Sequence, residues 1–252
     1  MKHKNTSWGA VSKWYDKFLE EGKDTYQECV ILPNLLRLLS IKKGDTILDL
    51  AAGQGFFSRA FHAAGAEVAG VDISEELISK AKDRSPKEIK YSVAPAGETK
   101  LPNASFDAVV IVLALQNIED VGAVFAECRR VLKPDGRLLF VLNHPVFRVP
   151  KHSSWGFDDK MSVQYRRVDA YLGESRTKID MHPGQETSGT TISFHRSLQV
   201  YVKALAKNNF AITRLEEWIS HKKSEKGPRR EAEDRARKEI PLFLFIEAKV
   251  NH

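Results

Sequence analysis

The chain predicts an α/β fold: one sheet of seven strands, the last of them antiparallel, with helices on both faces. Three observations predict it. From Thr46 onward, short β-branched and apolar runs alternate with helical patterns, the order of a parallel sheet covered on both sides. The 252 residues, 42% of them hydrophobic, suit a single core carrying an added segment. The chain also closes on helix, strand, charged loop and strand, compatible with a final hairpin whose last strand inserts antiparallel.

The elements follow in order. Val11–Leu19 and Ile31–Leu39 read as helices within an N-terminal helical lid, residues 1–45. Strands are expected at Thr46–Leu50, Glu67–Val71, Ile89–Val93, Phe106–Val112 and Arg137–Leu142, inside a core of residues 46–143. Ser74 is the expected N-cap of a helix burying Leu77, Ile78 and Ala81. Asp120 is the expected cap of one burying Val121, Val124, Phe125, Cys128 and Leu132. Pro134-Asp135-Gly136 then turns the chain into the fifth strand. Residues 144–197 break the rhythm, with prolines, glycines and aromatics in no sustained period, and are expected to form a cap insertion on the substrate side of the sheet. Residues 198–252 complete the core through a helix at Leu198–Lys207 and strands at Phe210–Ile219 and Pro241–Val250.

Composition excludes several classes. The longest apolar runs, Ala108 to Leu115 and Leu242 to Ala248, fall well short of the roughly 20 residues of a membrane helix, and Met1 to Trp8 lacks the apolar stretch of a signal peptide. Only Cys29 and Cys128 are present, outside any CxxC or Cys/His cluster, so neither a disulfide framework nor a bound metal is expected and a cytoplasmic location is. The net charge of +6 is diluted: the densest run, Lys222 to Glu239, mixes both signs and reads as a solvated loop and helix rather than a nucleic-acid footprint.

The informative segment is Ile47-Leu48-Asp49-Leu50-Ala51-Ala52-Gly53-Gln54-Gly55-Phe56-Phe57, a buried strand, a turn of small residues and a helix start. Backbone can approach a ligand there, and the helix N-terminus offers free N–H groups. A nicotinamide-type GxGxxG would place a third glycine at Ser58 and would not end its strand in Asp49, which disfavours an NAD(P)-binding oxidoreductase. The segment instead resembles the first motif, DxGxGxG, of the class I S-adenosylmethionine-dependent methyltransferases, in the positions Asp49, Ala51, Gly53 and Gly55, with Ala51 in place of a glycine. A second strand ends at Asp72, followed by Ile73, 17 positions beyond Gly55, where a ribose-binding carboxylate belongs. Ala94 to Pro102 with Ser105 to Val109, Leu113 to Ile118, and Arg130 to Arg137 are similar to the family's later blocks, in the family's order.

The resemblance implies a Rossmann-like, small-molecule methyltransferase of the type 11 kind with S-adenosylmethionine as cofactor. It implies that Gly53, Gln54 and Gly55 lie under the methionine moiety and that Asp49 anchors its amino group, directly or through water. Asp72 would take both ribose hydroxyls, beside Ile73. The chain has Ala96 or Gly97 where many members carry an acidic residue for the adenine amine, so backbone groups would serve there. Leu113 and Gln116 belong to the post-strand turn of the cofactor site.

Methyl transfer from a sulfonium is an in-line displacement that mainly needs alignment and exclusion of water, with a base only where the acceptor loses a proton. The candidate bases are His144, directly after the fifth strand, and His195, at the close of the insertion. The stretches Asn143 to Arg148 and His195 to Ile212 are similar to family stretches on the acceptor side. Tyr15 is a candidate to fold over the sulfonium, and Tyr26, Phe147 and Trp155 are candidates to line the acceptor. His182 is a weaker candidate. The fourth strand lacks a following Asn/Asp-Pro-Pro-Tyr/Phe, which argues against resemblance to nucleobase and glutamine amino methyltransferases. A small-molecule acceptor is therefore expected, for a monomer or homodimer; an RNA-modifying methyltransferase and a non-catalytic binding module are the alternatives.

Overall fold

A computed structural model describes residues 24–180 and 190–251. The expected helix Val11–Leu19, Trp14, Phe18, Tyr15 and His182 lie outside the described residues. A π-helical turn, Gln27–Ile31, leads into α1 (Leu32–Leu39). Then follow β1 (Thr46–Leu50), α2 (Phe56–Ala63), β2 (Glu67–Asp72), α3 (Glu75–Arg84), β3 (Lys90–Val93), β4 (Phe106–Val112), α4 (Val121–Val131) and β5 (Leu132–Asn143). After the segment beyond β5 come α5 (Leu198–Lys207), the strand Phe210–Trp218, α6 (Arg230–Glu239) and the strand Phe243–Val250.

The main sheet has seven strands. β3, β2, β1, β4 and β5 lie side by side in parallel, and Phe243–Val250 inserts antiparallel between β5 and Phe210–Trp218. The central strands are continuous apolar runs because both faces are covered. Alternation then sorts their side chains. Leu48, Leu50, Val109, Ile111, Leu138, Phe140 and Leu142 pack with α4 and α5 through Phe125, Cys128, Tyr201 and Leu205. Ile47, Val110, Leu139 and Val141 pack on the other face with α1, α2 and α3 through Leu35, Leu39, Phe61 and Ile78. Each such buried side chain contributes about 1.5–3 kcal/mol relative to exposure.

The two expected caps are formed. Ser74 Oγ accepts from Leu77 N at 3.2 Å and Asp120 Oδ1 from Ala123 N at 2.9 Å. The Pro134–Gly136 turn, expected ahead of the fifth strand, lies inside β5 as a bulge: Phe106 pairs with Leu132 and Ala108 with Arg137, leaving the intervening residues opposite Asp107. A Cβ on Gly136 would sit 3.0 Å from the carbonyl oxygens of Lys133 and Phe106, so the bulge needs glycine.

The described part of residues 144–197 holds more regular structure than its sequence pattern indicates. It carries two antiparallel hairpins, β6 (Ser153–Asp158) with β7 (Val163–Val168), and β8 (Ser175–Asp180) with β9 (Thr190–His195). A two-stranded ribbon buries neither face fully, so the apolar alternation that announces a strand is weak in all four. The remaining strands are numbered β10 (Phe210–Trp218) and β11 (Phe243–Val250). Helix α6 packs beside β7, and Arg229 covers the Phe157 ring at 4.3 Å, so part of the charged run is fastened to the first hairpin rather than free in solvent. Among the described residues no helix is long and apolar enough to cross a membrane.

Candidate functional site

A cavity of about 460 Å³ lies over the carboxyl ends of β1, β2 and β4, within the roughly 300–1,000 Å³ range of small-ligand sites. Its wall includes the expected Asp49, Ala51, Gly53, Gln54, Asp72, Ile73, Ala96, Gly97 and Leu113. The β1–α2 turn that forms its floor is a chain of left-handed residues: Ala51 at φ 64°, Gly53 at 56° and Gly55 at 81°. Ala51 therefore holds a conformation that glycine would adopt without strain.

Asp49 is 2% exposed and accepts a 2.6 Å hydrogen bond from Ser58 Oγ. Burial, reinforced by the nearby Asp72, pushes its carboxyl up to about 7, against the Ser58 bonds that lower it. A buried carboxyl with a raised pKa beside a cavity is a natural partner for a ligand's ammonium. Asp72 is buried too, and each oxygen accepts a backbone N–H, Oδ2 from Gly53 and Oδ1 from Ser74, both at 2.9 Å. Burial raises its pKa, with those bonds in opposition. Each oxygen keeps a second lone pair for a ligand diol, while the same carboxylate locks the Gly53 turn.

Two expected cofactor residues, Gly55 and Gln116, stand outside the cavity wall, as do the expected catalytic and acceptor residues His144, His195, Tyr26, Phe147 and Trp155. Gly55 is the residue capping α2, and a Cβ there would meet Tyr91 Oη at 2.4 Å, so backbone geometry and packing require glycine at this position. Gln116 turns inward and donates from Nε2 to Leu113 O at 2.7 Å; Asn117 lines the cavity in its place. The turn after β4 explains this: Leu113 is itself left-handed at φ 52°, and Leu115–Asn117 forms a single 3₁₀ turn that swings Asn117 toward the cavity.

The histidines are both buried but differently engaged. His144 is 3% exposed, and its Nε2 donates to Glu217 Oε1 at 2.7 Å, which leaves Nδ1 unprotonated, buried and without a partner. Burial lowers the His144 pKa and Glu217 pulls it back. Phe147 packs against the His144 ring, 4.9 Å between centroids. His195 Nε2 donates to Tyr171 O at 2.7 Å, within the insertion. Its neighbour Arg196 donates to the carbonyls of Ile118 and Glu119, and thus ties the end of the insertion to the cavity rim. Tyr26 lies near the end of β10, its hydroxyl 3.0 Å from Ser220 Oγ and its ring edge-on to His221 and Phe243. Trp155 sits on β6, 44% exposed, under Arg166.

Several functional partners escaped sequence reasoning. Ser58 counted there only as a missing glycine, yet its hydroxyl holds Asp49. Glu217 is 73 positions from His144 and had no local signal. Asn117 differed from Gln116 only by its place in a turn.

The methyltransferase domain family matches residues 48–140, the stretch that builds this cavity. A ubiquinone/menaquinone biosynthesis C-methyltransferase UbiE of Hydrogenovibrio crunogenus is 30% identical over 174 residues, covering 60% of this chain and 65% of the relative. A demethylmenaquinone methyltransferase of Tropheryma whipplei is 33% identical over 112 residues, covering 43% of this chain and 46% of the relative. The chain thus spans about half to two thirds of the length of these curated relatives. An S-adenosylmethionine dependent methyltransferase structure from Listeria monocytogenes, 24% identical, shares the fold with a TM-score of 0.66 over 87% of this chain and 97% of that one. An S-adenosylmethionine dependent methyltransferase structure from Mesorhizobium loti is similar at a TM-score of 0.72 with 30% identity, covering 89% of this chain and 99% of that one. With the motif, the cavity and that end-to-end likeness in agreement, the chain belongs to the class I S-adenosylmethionine-dependent methyltransferases.

Proposed function

We propose that this enzyme methylates a small molecule seated at the turn after β5, and that His144 is the base when the acceptor must lose a proton. The observation that carries this is the His144–Glu217 pair: a buried imidazole whose Nε2–H is committed to a carboxylate and whose Nδ1 lone pair has no partner. When bound, S-adenosylmethionine supplies a methyl group made electrophilic by its sulfonium.

The chain's own residues do the rest. Asp49 takes the amino group and Asp72 the ribose diol, while the backbone of Ala96 and Gly97 faces the adenine. A Cβ on Gly97 would press to 3.1 Å of the Ala123 Cβ, so that wall stays close to α4. His144 Nδ1 accepts the proton released by the nucleophile, and Glu217 stabilises the imidazolium that forms. His195 holds the insertion through Tyr171 rather than acting on the acceptor. The insertion, residues 144–197, serves as the cap of the acceptor side, residues 1–45 as the lid that carries Tyr15, and residues 46–143 with 198–252 as the cofactor core.

The matched family segment ends at residue 140, ahead of His144, while the relative named for ubiquinone/menaquinone biosynthesis is aligned over 60% of this chain, so a quinone precursor is one small-molecule acceptor this reading admits. An RNA acceptor is disfavoured by pairing of the charged run, where Arg229 meets Asp159 of the first hairpin at 3.2 Å and Arg237 Nε donates to Ser224 Oγ within the run. The test is incubation with methyl-labelled S-adenosylmethionine and a cell extract separated into small-molecule, RNA and protein fractions. Label in the small-molecule fraction that is lost in His144→Ala supports the reading; label in RNA or protein overturns it.

A further inference from the structure

Beside His144, two arginines gather with no carboxylate paired to them among the described residues. Arg166, on β7 opposite Trp155, donates from Nε to Phe147 O and from Nη2 to Ser153 Oγ, both at 2.8 Å. Its guanidinium carbon stands 5.2 Å from the centre of the Trp155 ring. Every one of these partners is neutral, so they fix the guanidinium in place without cancelling its charge, and the Nη1 edge has no hydrogen bond among the described residues. The carbonyl that Arg166 grips is bonded directly to Arg148, which makes no side-chain hydrogen bond or ion pair among the described residues. Arg148 is exposed to solvent, and desolvation by its neighbours together with repulsion from Arg166 pushes its guanidinium pKa downward.

Three other arginines set in the fold are matched with acids, Arg130 with Glu127, Arg137 with Glu247 and Arg196 with Glu174. Two like charges held together, one by a dedicated set of neutral contacts, cost free energy that an anion between them recovers. Guanidinium forks suit carboxylate and phosphate oxygens in particular. The surrounding side chains are aromatic, with Phe147 half-buried on His144 and Trp155 open to solvent.

We propose that Arg148 and Arg166 form an oxyanion-binding subsite of the acceptor pocket, so that the methyl acceptor is a small molecule bearing a carboxylate or phosphate on an apolar, ring-containing body. This rests on the reading that the acceptor sits at the turn after β5. The oxyanion lies in the guanidinium pair, the ring rests against Phe147 and Trp155, and the nucleophile faces His144.

The test is calorimetry on the full chain saturated with S-adenosylhomocysteine, with 4-hydroxyphenylacetate, phenyl phosphate and the uncharged 4-hydroxyphenylacetamide as probes. The expected result is binding of one or both anions at least about tenfold tighter than the amide, roughly 1.4 kcal/mol. Which anion binds tells carboxylate from phosphate. Arg148→Gln and Arg166→Gln should each weaken the anion at least about tenfold with S-adenosylhomocysteine affinity unchanged. Arg148→Gln keeps the test sound if loss of the Phe147 and Ser153 contacts unfolds the other variant. Absence of anion binding, equal binding of the amide, or anion affinity untouched in Arg148→Gln would overturn the proposal. Anion binding that needs both arginines, combined with label found only in RNA, would instead leave this subsite standing and sink the small-molecule reading.

Discussion

The raised pKa of Asp49 moves the loss of cofactor affinity at low pH from the range of an ordinary surface aspartate, about 4, up to about 7. In the free protein burial holds the carboxyl protonated up to about 7. The ligand's ammonium pairs only with the ionised form, so each bound molecule must expel that proton below neutrality. Affinity should then fall by the factor 1 + 10^(pKa − pH), roughly 25-fold between about pH 7.5 and pH 5.5, or about 1.9 kcal/mol. The α-amino group of the ligand, with an ordinary pKa of about 8, confines the measurement to the range below about pH 7.5.

The sign carries over to stability. A folded carboxyl above its unfolded value stabilises the fold at low pH, and this contribution fades as pH rises from about 4 through about 7. The ligand's stabilising effect on the melting temperature should therefore grow over the same window. The assay is calorimetric titration with S-adenosylhomocysteine in buffers of different ionisation enthalpy, which counts the protons released. Ser58→Ala removes the 2.6 Å bond that favours the ionised form and should move the midpoint upward. Wild-type affinity flat from about pH 7.5 to 5.5, or the same limb with the same midpoint in Asp49→Asn, would refute the reasoning.

Three further outcomes follow from the same geometry. Asp72→Asn leaves the shape but presents an NH₂ to one of the two backbone N–H groups of Gly53 and Ser74; calorimetry should show S-adenosylhomocysteine weakened by about 1–3 kcal/mol, and wild-type affinity would mean that the carboxylate does not hold the site. Glu217→Gln removes the charge that raises the His144 pKa, so the imidazole followed by NMR titration should fall further below the ordinary histidine value; an upward shift would contradict the pairing. Gly55→Ala places a Cβ 2.4 Å from Tyr91 Oη at φ 81° and should destabilise by about 2–4 kcal/mol in denaturant unfolding, whereas a neutral result would mean that Tyr91 moves aside freely.

Much of the fold was legible because it rests on local pattern. β1 and β4 and the helix Leu198–Lys207 occupy the residues their periodicity indicates, and Ser74 and Asp120 cap the helices that follow them. The antiparallel β11 was legible from element order, since a strand reached by hairpin must reverse direction. The hairpins of the insertion were not, because exposed ribbons bury too little to impose alternation on their residues.

For the site the division is similar. Asp49, Gly53 and Asp72 follow strand ends at spacings that a βα turn dictates, so sequence alone placed them together at one edge of the sheet. Tertiary structure decided what depends on packing between distant segments. It set Glu217 against His144 and Ser58 beneath Asp49, packed Tyr91 where a Cβ on Gly55 would stand, and left the guanidiniums of Arg148 and Arg166 without an acid among the described residues. Backbone periodicity is encoded within a few neighbours along the chain. The protonation state of a buried group is set by whichever side chains the completed fold brings within hydrogen-bonding distance.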